Sequence, residues 1–245
     1  MKKQPPEKVS QGEVVFKVEE LEPLLSPPPM VLKPWKPMYI ELKNREGERK
    51  TMVIRQMTKE EAPALLPFIK KFLDVDHDFY DIVGARVYAE ILGWYRNRLK
   101  DPYLLVGIID GELAALGNGR LMNKDINISL HTMAFKRGFR AGAAMYYAKT
   151  YYTFEILGQK EFWATYESYN GFKRWGIGMA QPSYPWPEYQ HELGGAKVFY
   201  ITKEYWDASI KKYLEDYLGT TLQAPVPEDL LKSAESFKIP EEPNV

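Results

Sequence analysis

The chain has 245 residues, 45% of them hydrophobic and 27% charged, and its 33 Lys and Arg balance 33 Asp and Glu. That length is ample for one large domain or two small ones, and the zero formal charge argues against bulk nucleic-acid binding while leaving room for a local basic patch. There is no cysteine, which excludes disulfides, thiolate zinc sites and cysteine nucleophiles.

Only three histidines occur, His77, His131 and His191, far apart and without an HExxH pair, so no metal site is expected. The N-terminus carries no apolar run of signal-peptide length, and no segment reaches the ~18 apolar residues of a membrane helix. The expectation is a soluble, cytoplasmic protein with no membrane or nucleic-acid partner. The 17 Tyr and 6 Trp suggest a core of large rings or a roomy apolar pocket.

Residues 1–37 are proline-rich and are read as an arm over the domain surface, with a short strand or helix in Gln11–Leu25 that Pro27–Pro29 cannot continue. Pro37–Gln56 has the pattern of a hairpin turning at Asn44–Gly47. Thr58 is placed to cap a helix carrying Glu60 and Glu61 in its first turn and Leu65, Leu66, Ile69 and Phe72 on one face. Asp74–Asp81 is the most acidic stretch, either a solvated loop or a rim that attracts a cationic acceptor. Its DxDxD spacing lacks the glycine and closing glutamate of a calcium loop.

Tyr88–Lys100 reads as a helix broken at Asp101-Pro102. Tyr103–Ile109 and Leu113–Leu121 read as an antiparallel pair about an Asp110-Gly111 turn, and Gly117 and Gly119 mark a bulge or a close backbone approach. In Asp125–Leu157, Ile126, Ile128, Leu130 and Thr132 alternate with Asn127, Ser129 and His131 as in a strand, and Ala144–Leu157 reads as a helix that Gly158 ends. Between them, Lys136, Arg137, Gly138, Arg140 and Gly142 make a basic, glycine-bearing turn. Backbone N–H groups at a helix start, with the dipole behind them, suit a phosphate or pyrophosphate. Phe162–Tyr166 reads as a strand, Tyr169–Trp175 as a short helix, Gln181–Gln190 as an aromatic loop, Ala196–Thr202 as a last strand and Tyr205–Leu218 as an amphipathic helix ended by Gly219. Residues 38–219 are expected as a single domain and 220–245 as a tail.

From Thr51 to Thr202 this order resembles the GCN5-related N-acetyltransferase (GNAT) family, whose R/Q-x-x-G-x-G/A motif is similar to Arg137-Gly138-Phe139-Arg140-Ala141-Gly142, with Arg140 in place of the middle glycine. A second family motif is echoed by Asn170-Gly171-Phe172 through Gly176-Ile177, with Ile177 replacing a phenylalanine. The resemblance implies an α/β fold of α+β type: a mixed, mostly antiparallel central sheet with helices on both faces, splayed between the fourth and fifth core strands. It implies that the pantetheine arm of acetyl-CoA, or of another acyl-CoA, lies in that gap against Leu130, Thr132 and Met133. The turn Arg137, Gly138, Phe139, Arg140, Ala141, Gly142 and Ala143 would hold the pyrophosphate, with Arg140 a charge partner and Asn170 a further contact.

The implied reaction is direct transfer to a small-molecule or peptide amine, with a homodimer compatible. Phe172 stands where the family's acid tyrosine usually lies, which leaves Tyr169 as replacement. His131 and Glu167 are the candidate bases, beside ordered water. The alternative is a non-catalytic acyl-CoA-binding or protein-interaction module on the same fold. Aromatic richness also allows transfer of a longer acyl or aminoacyl group.

Overall fold

The computed structural model describes residues 30–184 and 197–243, so Gln11–Leu25, residues 185–190 of the aromatic loop, His191 and Ala196 lie outside the described residues. Residues 31–245 cluster as one compact unit. Its frame is a seven-stranded sheet in sequential order: β1 Met38–Lys43, β2 Arg49–Gln56, β3 Pro102–Ile109, β4 Glu112–Leu121, β5 Ile126–Ala134, β6 Glu161–Ala164 and β7 Phe199–Thr202. Every neighbouring pair is antiparallel except β5–β6, which is parallel. This is the GNAT-like arrangement expected from the resemblance.

Local chemistry accounts for the hairpins. Asn44 turns β1 into β2: its side-chain oxygen accepts from the N–H groups of Glu46 and Glu48 at 3.1 and 2.8 Å, and Gly47 takes φ +90°. β3 is buried at every position because helices cover both faces of the sheet. On one face α1 (Ala62–Lys70), the 3-10 turn after it (Lys71–Asp74) and α2 (Tyr80–Tyr95) pack Leu65, Ile69, Phe72, Val87 and Ile91 against Val53, Leu104, Val106 and Ile108. On the other, α3 (Ala141–Tyr151) and the C-terminal helices, α5 (Lys203–Tyr205) and α6 (Lys211–Leu218), pack against Ile40, Ile54, Tyr103 and Leu105. α2 begins eight residues before the expected Tyr88. There is no glycine or proline between Asp78 and Val83 to delay it, and Asp78 and Phe79 supply the left-handed turn that starts it.

Two stretches outside the hairpins and helices also join the unit. Trp35 is buried, and its indole N–H donates to the Ile54 carbonyl at 2.9 Å. Beyond Gly219, Gln223 exchanges backbone bonds with Tyr39 at 2.9 and 3.0 Å, and Lys238 bonds Gly111 and Leu113 at 2.8 and 2.9 Å. Between them lies α7 (Glu228–Ser233), after which the Ala234 carbonyl accepts from Arg55 Nε at 2.6 Å. Ending the chain after Gly219 is therefore expected to cost about 4 kcal/mol, at roughly 1 kcal/mol for each of those four backbone bonds. Urea unfolding of the truncated chain measures it, and a loss below about 1 kcal/mol would mean that the tail is merely draped.

Candidate functional site

β5 and β6 pair only from Ile126↔Glu161 to Ser129↔Ala164, although β5 continues to Ala134. Past Ser129 the two strands part. At the same place β5 carries a bulge: Asn118 faces His131 and Gly119 faces Ser129, so Leu130 has no partner on β4. The extra residue resets the alternation. Register puts Thr132 opposite Gly117 on the α3 face, whereas His131 opposite Asn118 falls on the α2 face. The simple alternation expected for Ile126, Ile128, Leu130 and Thr132 is thus broken at Leu130.

The bulge decides which expected residues reach the gap. A cavity of about 80 Å³ opens there, lined by Ser129, Leu130, His131 and Thr132 on one side and by Ala164, Thr165, Tyr166 and Glu167 on the other, with Tyr146 and Trp175 at its base. Leu130, Thr132, His131 and Glu167 are therefore brought together. Met133 is not: it points to the α2 face and is buried in that core, because one residue beyond Thr132 the strand presents its opposite side. Tyr169 and Asn170 are also held away. They open α4 (Tyr169–Gly171, wound on through Phe172–Ile177), and Asp78 caps that helix by accepting from the Tyr169 N–H at 2.6 Å and from Asn170 Nδ2 at 2.9 Å. The Tyr169 side chain is left 63% exposed.

Farther along β5 lies a second cavity of about 590 Å³, walled by Ala134, Lys136, Arg137, Gly138, Arg140, Ala141, Gly142 and Ala143. About 7 Å of strand separates Thr132 from Ala134, so the two cavities follow one edge of β5. The first i→i−4 bond of α3 runs from Ala144 to Arg140 at 3.0 Å. The N–H groups of Ala141, Gly142 and Ala143 precede it and find no carbonyl one turn back. Gly138 is at φ +90°, a conformation that favours glycine, and a Cβ there would stand in open space. Phe139, expected in the turn's contacts, is not in the lining, since its ring is buried in the core.

Arg140 takes the left-handed conformation itself, at φ 59°, which costs a non-glycine residue roughly 1 kcal/mol and explains why a glycine suits this position. Its guanidinium rests over the Tyr217 ring at 5.0 Å and donates to the Tyr217 carbonyl, so it is anchored to α6 at the cavity edge and not folded over the turn. Arg45 and Arg174, which sequence reading missed, join Lys136, Arg137 and Arg140 in the lining, against one acid, Glu46. The surplus of positive charge and the dipole of α3 both favour an anion.

The electrostatics of the smaller cavity are set by burial. Glu167 is ion-paired to Arg86 of α2 and accepts from Thr165 Oγ1 at 3.0 Å, and its second oxygen lies 3.9 Å from His131 Nδ1. His131 is 7% exposed, and burial, with Lys149 and Arg86 nearby, pushes its pKa down to about 3, so the imidazole is neutral. Lys149 is wholly buried beneath the bulge, where its ammonium nitrogen reaches the His131 carbonyl at 2.6 Å and Thr132 Oγ1 at 3.2 Å. Desolvation drives its pKa well down. Gly117 makes the room: a Cβ there would lie 2.7 Å from Lys149 Cδ.

Tyr146, Tyr166 and Gln181 close a hydrogen-bonded triangle of 3.1, 2.9 and 3.0 Å, with Tyr146 stacked on Trp175 at 4.7 Å. Burial raises both phenols, Tyr146 to about 12 and Tyr166 well above its ordinary value, so both stay protonated. None of Arg86, Lys149, Tyr146 and Tyr166 was singled out by sequence. Lys149 alone carried a signal, as a lone charge inside an Ala- and Tyr-rich helix with no polar face. Among the described residues no group of three or more His, Asp and Glu is arranged to hold a metal.

No family model and no curated protein matches the sequence. Among solved structures the chain is similar to the PaiA N-acetyltransferase of Thermoplasma acidophilum in complex with coenzyme A, at 12% identity over 62% of this chain and 98% of that one, with a TM-score of 0.44. It is also similar to the GNAT domain of PAT from S. lividans, at 13% identity over 66% and 95% of the two chains and a TM-score of 0.45. A third is the N-acetyltransferase PseH of Campylobacter jejuni in complex with acetyl coenzyme A, at 11% identity over 61% and 99% and a TM-score of 0.43. Likenesses of this size carry neither an activity nor a residue role to this chain.

Proposed function

We propose that the protein is an acyl-CoA-dependent N-acyltransferase that moves an acetyl group from acetyl-CoA to an amine by direct attack in a ternary complex. The observation that carries this reading is the parting of β5 and β6 beyond Ser129 and Ala164, in line with an anion-binding turn at the start of α3. An extended pantetheine arm fits such a gap as a surrogate strand. The N–H groups of the turn and its ring of Lys and Arg suit a diphosphate.

In this reading the amine nitrogen attacks the thioester carbonyl, and a backbone N–H of β5 steadies the oxyanion. Glu167 meets the incoming ammonium with negative charge, and the neutral His131 imidazole takes its proton onward. As the carbon–sulfur bond breaks, the thiolate takes a proton from Tyr166, which lines the gap and is held protonated by burial, in the role expected of Tyr169.

Titration calorimetry tests the first half. Acetyl-CoA is expected to bind with a Kd below about 1 mM, the upper end of ordinary substrate constants. Binding should weaken as salt is raised, because the turn and its cations supply the attraction. No heat from a folded sample at about that concentration would defeat the proposal. Thiol release from acetyl-, butyryl- and longer CoA esters, with a panel of small and peptide amines, tests the second half.

Two observations favour a non-catalytic acyl-CoA-binding module instead. The Glu167 carboxylate is already engaged by Arg86 and Thr165, and Tyr169 faces solvent. Binding without thiol release on any amine would select it.

A further inference from the structure

On the α2 face, near His131, two residues carry buried polar atoms without partners. Asn118 stands directly opposite His131 across the β4–β5 pair and is 0% exposed, yet neither its Oδ1 nor its Nδ2 has a hydrogen-bond partner. Glu90 lies one helical turn beyond Arg86, the residue that holds Glu167, and its Oε2 is likewise buried without a partner. Arg120 sits two residues along β4 from Asn118, on the same face, and is the cation nearest in effect to Glu90. Its guanidinium is committed to Asp101, to which it donates at 2.9 and 3.1 Å. Three orphaned atoms, one on Glu90 and two on Asn118, are thus contributed by the two elements, α2 and β4, that flank His131 on this face. Buried polar atoms that protein leaves unpaired are satisfied by internal water.

We propose that Asn118 and Glu90 form an exit path for the proton that the acceptor amine gives up, leading from His131 along water held by the Asn118 amide to the Glu90 carboxylate. The inference rests on the acyltransferase reading above. The step balances without a further reactant. The acceptor ammonium loses one proton to one imidazole nitrogen while the other nitrogen releases one to water, and the water passes a proton to Glu90, which ends neutral. No bond between heavy atoms changes.

The two ends are suited to their parts. Burial makes His131 a poor place for a proton to rest, so it conducts and does not trap. Burial is also the largest influence on Glu90 and raises its carboxyl, with Asp101 adding to the rise and Arg120 opposing it. A carboxylate so placed accepts a proton more readily than an exposed one and, being only half-buried, can return it to solvent. Glu90 acts through His131 and touches neither substrate.

Thiol release should be followed across a pH series for the wild type, Glu90→Gln and Asn118→Leu. Both substitutions keep the number of side-chain heavy atoms, and the orphaned atoms they replace have no protein partner to lose. Each is expected to lower kcat about tenfold or more, short of the range for a residue that handles the proton directly. Glu90→Gln should also remove the acidic limb of the kcat/KM profile. Neither variant should melt below the wild type, since each loses a buried group that the fold leaves unsatisfied, and the Kd for acetyl-CoA should stay at its wild-type value in both, which separates a broken path from a damaged fold.

Variants that keep kcat within about twofold of the wild type, with the same acidic limb, overturn the path and leave the acyltransferase reading standing. A wild type that releases no thiol with any amine overturns that reading first, and the path with it.

Discussion

Replacing His131 by glutamine is expected to lower kcat by about a hundredfold or more, the range for losing a group that handles a proton in the transition state. The Kd for acetyl-CoA should not move, because the basic glycine turn proposed to hold its diphosphate lies beyond Ala134, away from the imidazole. His131 lines the gap between β5 and β6 with its Nδ1 3.9 Å from Glu167, and the bulge at Leu130 turns it to the α2 face. Glutamine keeps a polar side chain of similar reach but cannot accept a proton on one atom while releasing it from another. Steady-state kinetics with the best amine of the panel, beside calorimetry with acetyl-CoA, reads both quantities. A variant that retains kcat within about threefold would remove His131 from the chemistry and leave water in its place.

The same substitution is expected to change the pH dependence of folding. His131 has its pKa lowered from 6.5 to about 3 in the folded protein, with desolvation as the leading cause. Between those values the unfolded chain carries a proton that the folded chain does not, so stability falls as the pH drops from 6.5 towards 3 and the contribution vanishes above 6.5. Taking the loss from pH 6.5 to about pH 4, at roughly 1.4 kcal/mol per unit, gives about 3 kcal/mol, a large share of an ordinary domain's stability. Glu90 works in the other direction. Its raised carboxyl takes up a proton in the folded state first, so it adds stability as the pH falls through that raised value.

Guanidinium unfolding of the wild type and of His131→Gln at about pH 7 and pH 4 isolates the histidine as the difference of the two differences. The wild type should lose about 3 kcal/mol more than the variant, and equal losses would show that the imidazole is protonated in the fold.

The chain announces its local pieces. Asn44 and Gly47 turn β1 into β2 wherever the rest of the chain goes, because a side-chain oxygen two residues back and a positive φ are short-range facts. The basic glycine turn before α3 is legible for the same reason, since Gly138 and the helix behind it need no distant partner to expose their N–H groups. The resemblance then supplies the strand order, and the β5–β6 gap follows it.

What sequence could not supply depends on long-range register. A one-residue bulge on β5 sends Met133 into the core and turns His131 towards Glu167, and nothing within Ile126–Ala134 reveals where its partner strand skips. Asp78, 91 residues before Tyr169, caps α4 and leaves Tyr169 exposed, a placement that counting back along the helix does not reveal. Arg86, Asn118, Lys149 and Tyr166 come from four separate elements or their ends, and each looks ordinary in its own segment.

Composition, hairpins, the basic glycine turn and the class of fold are thus written in the sequence itself, because hydrogen bonds between near neighbours and the period of burial determine them. The inventory of the β5–β6 gap was decided only by the tertiary structure. Burial and the pairing of distant strands determine which polar groups meet there and which lose their charge, and both arise only once the sheet has closed around α3.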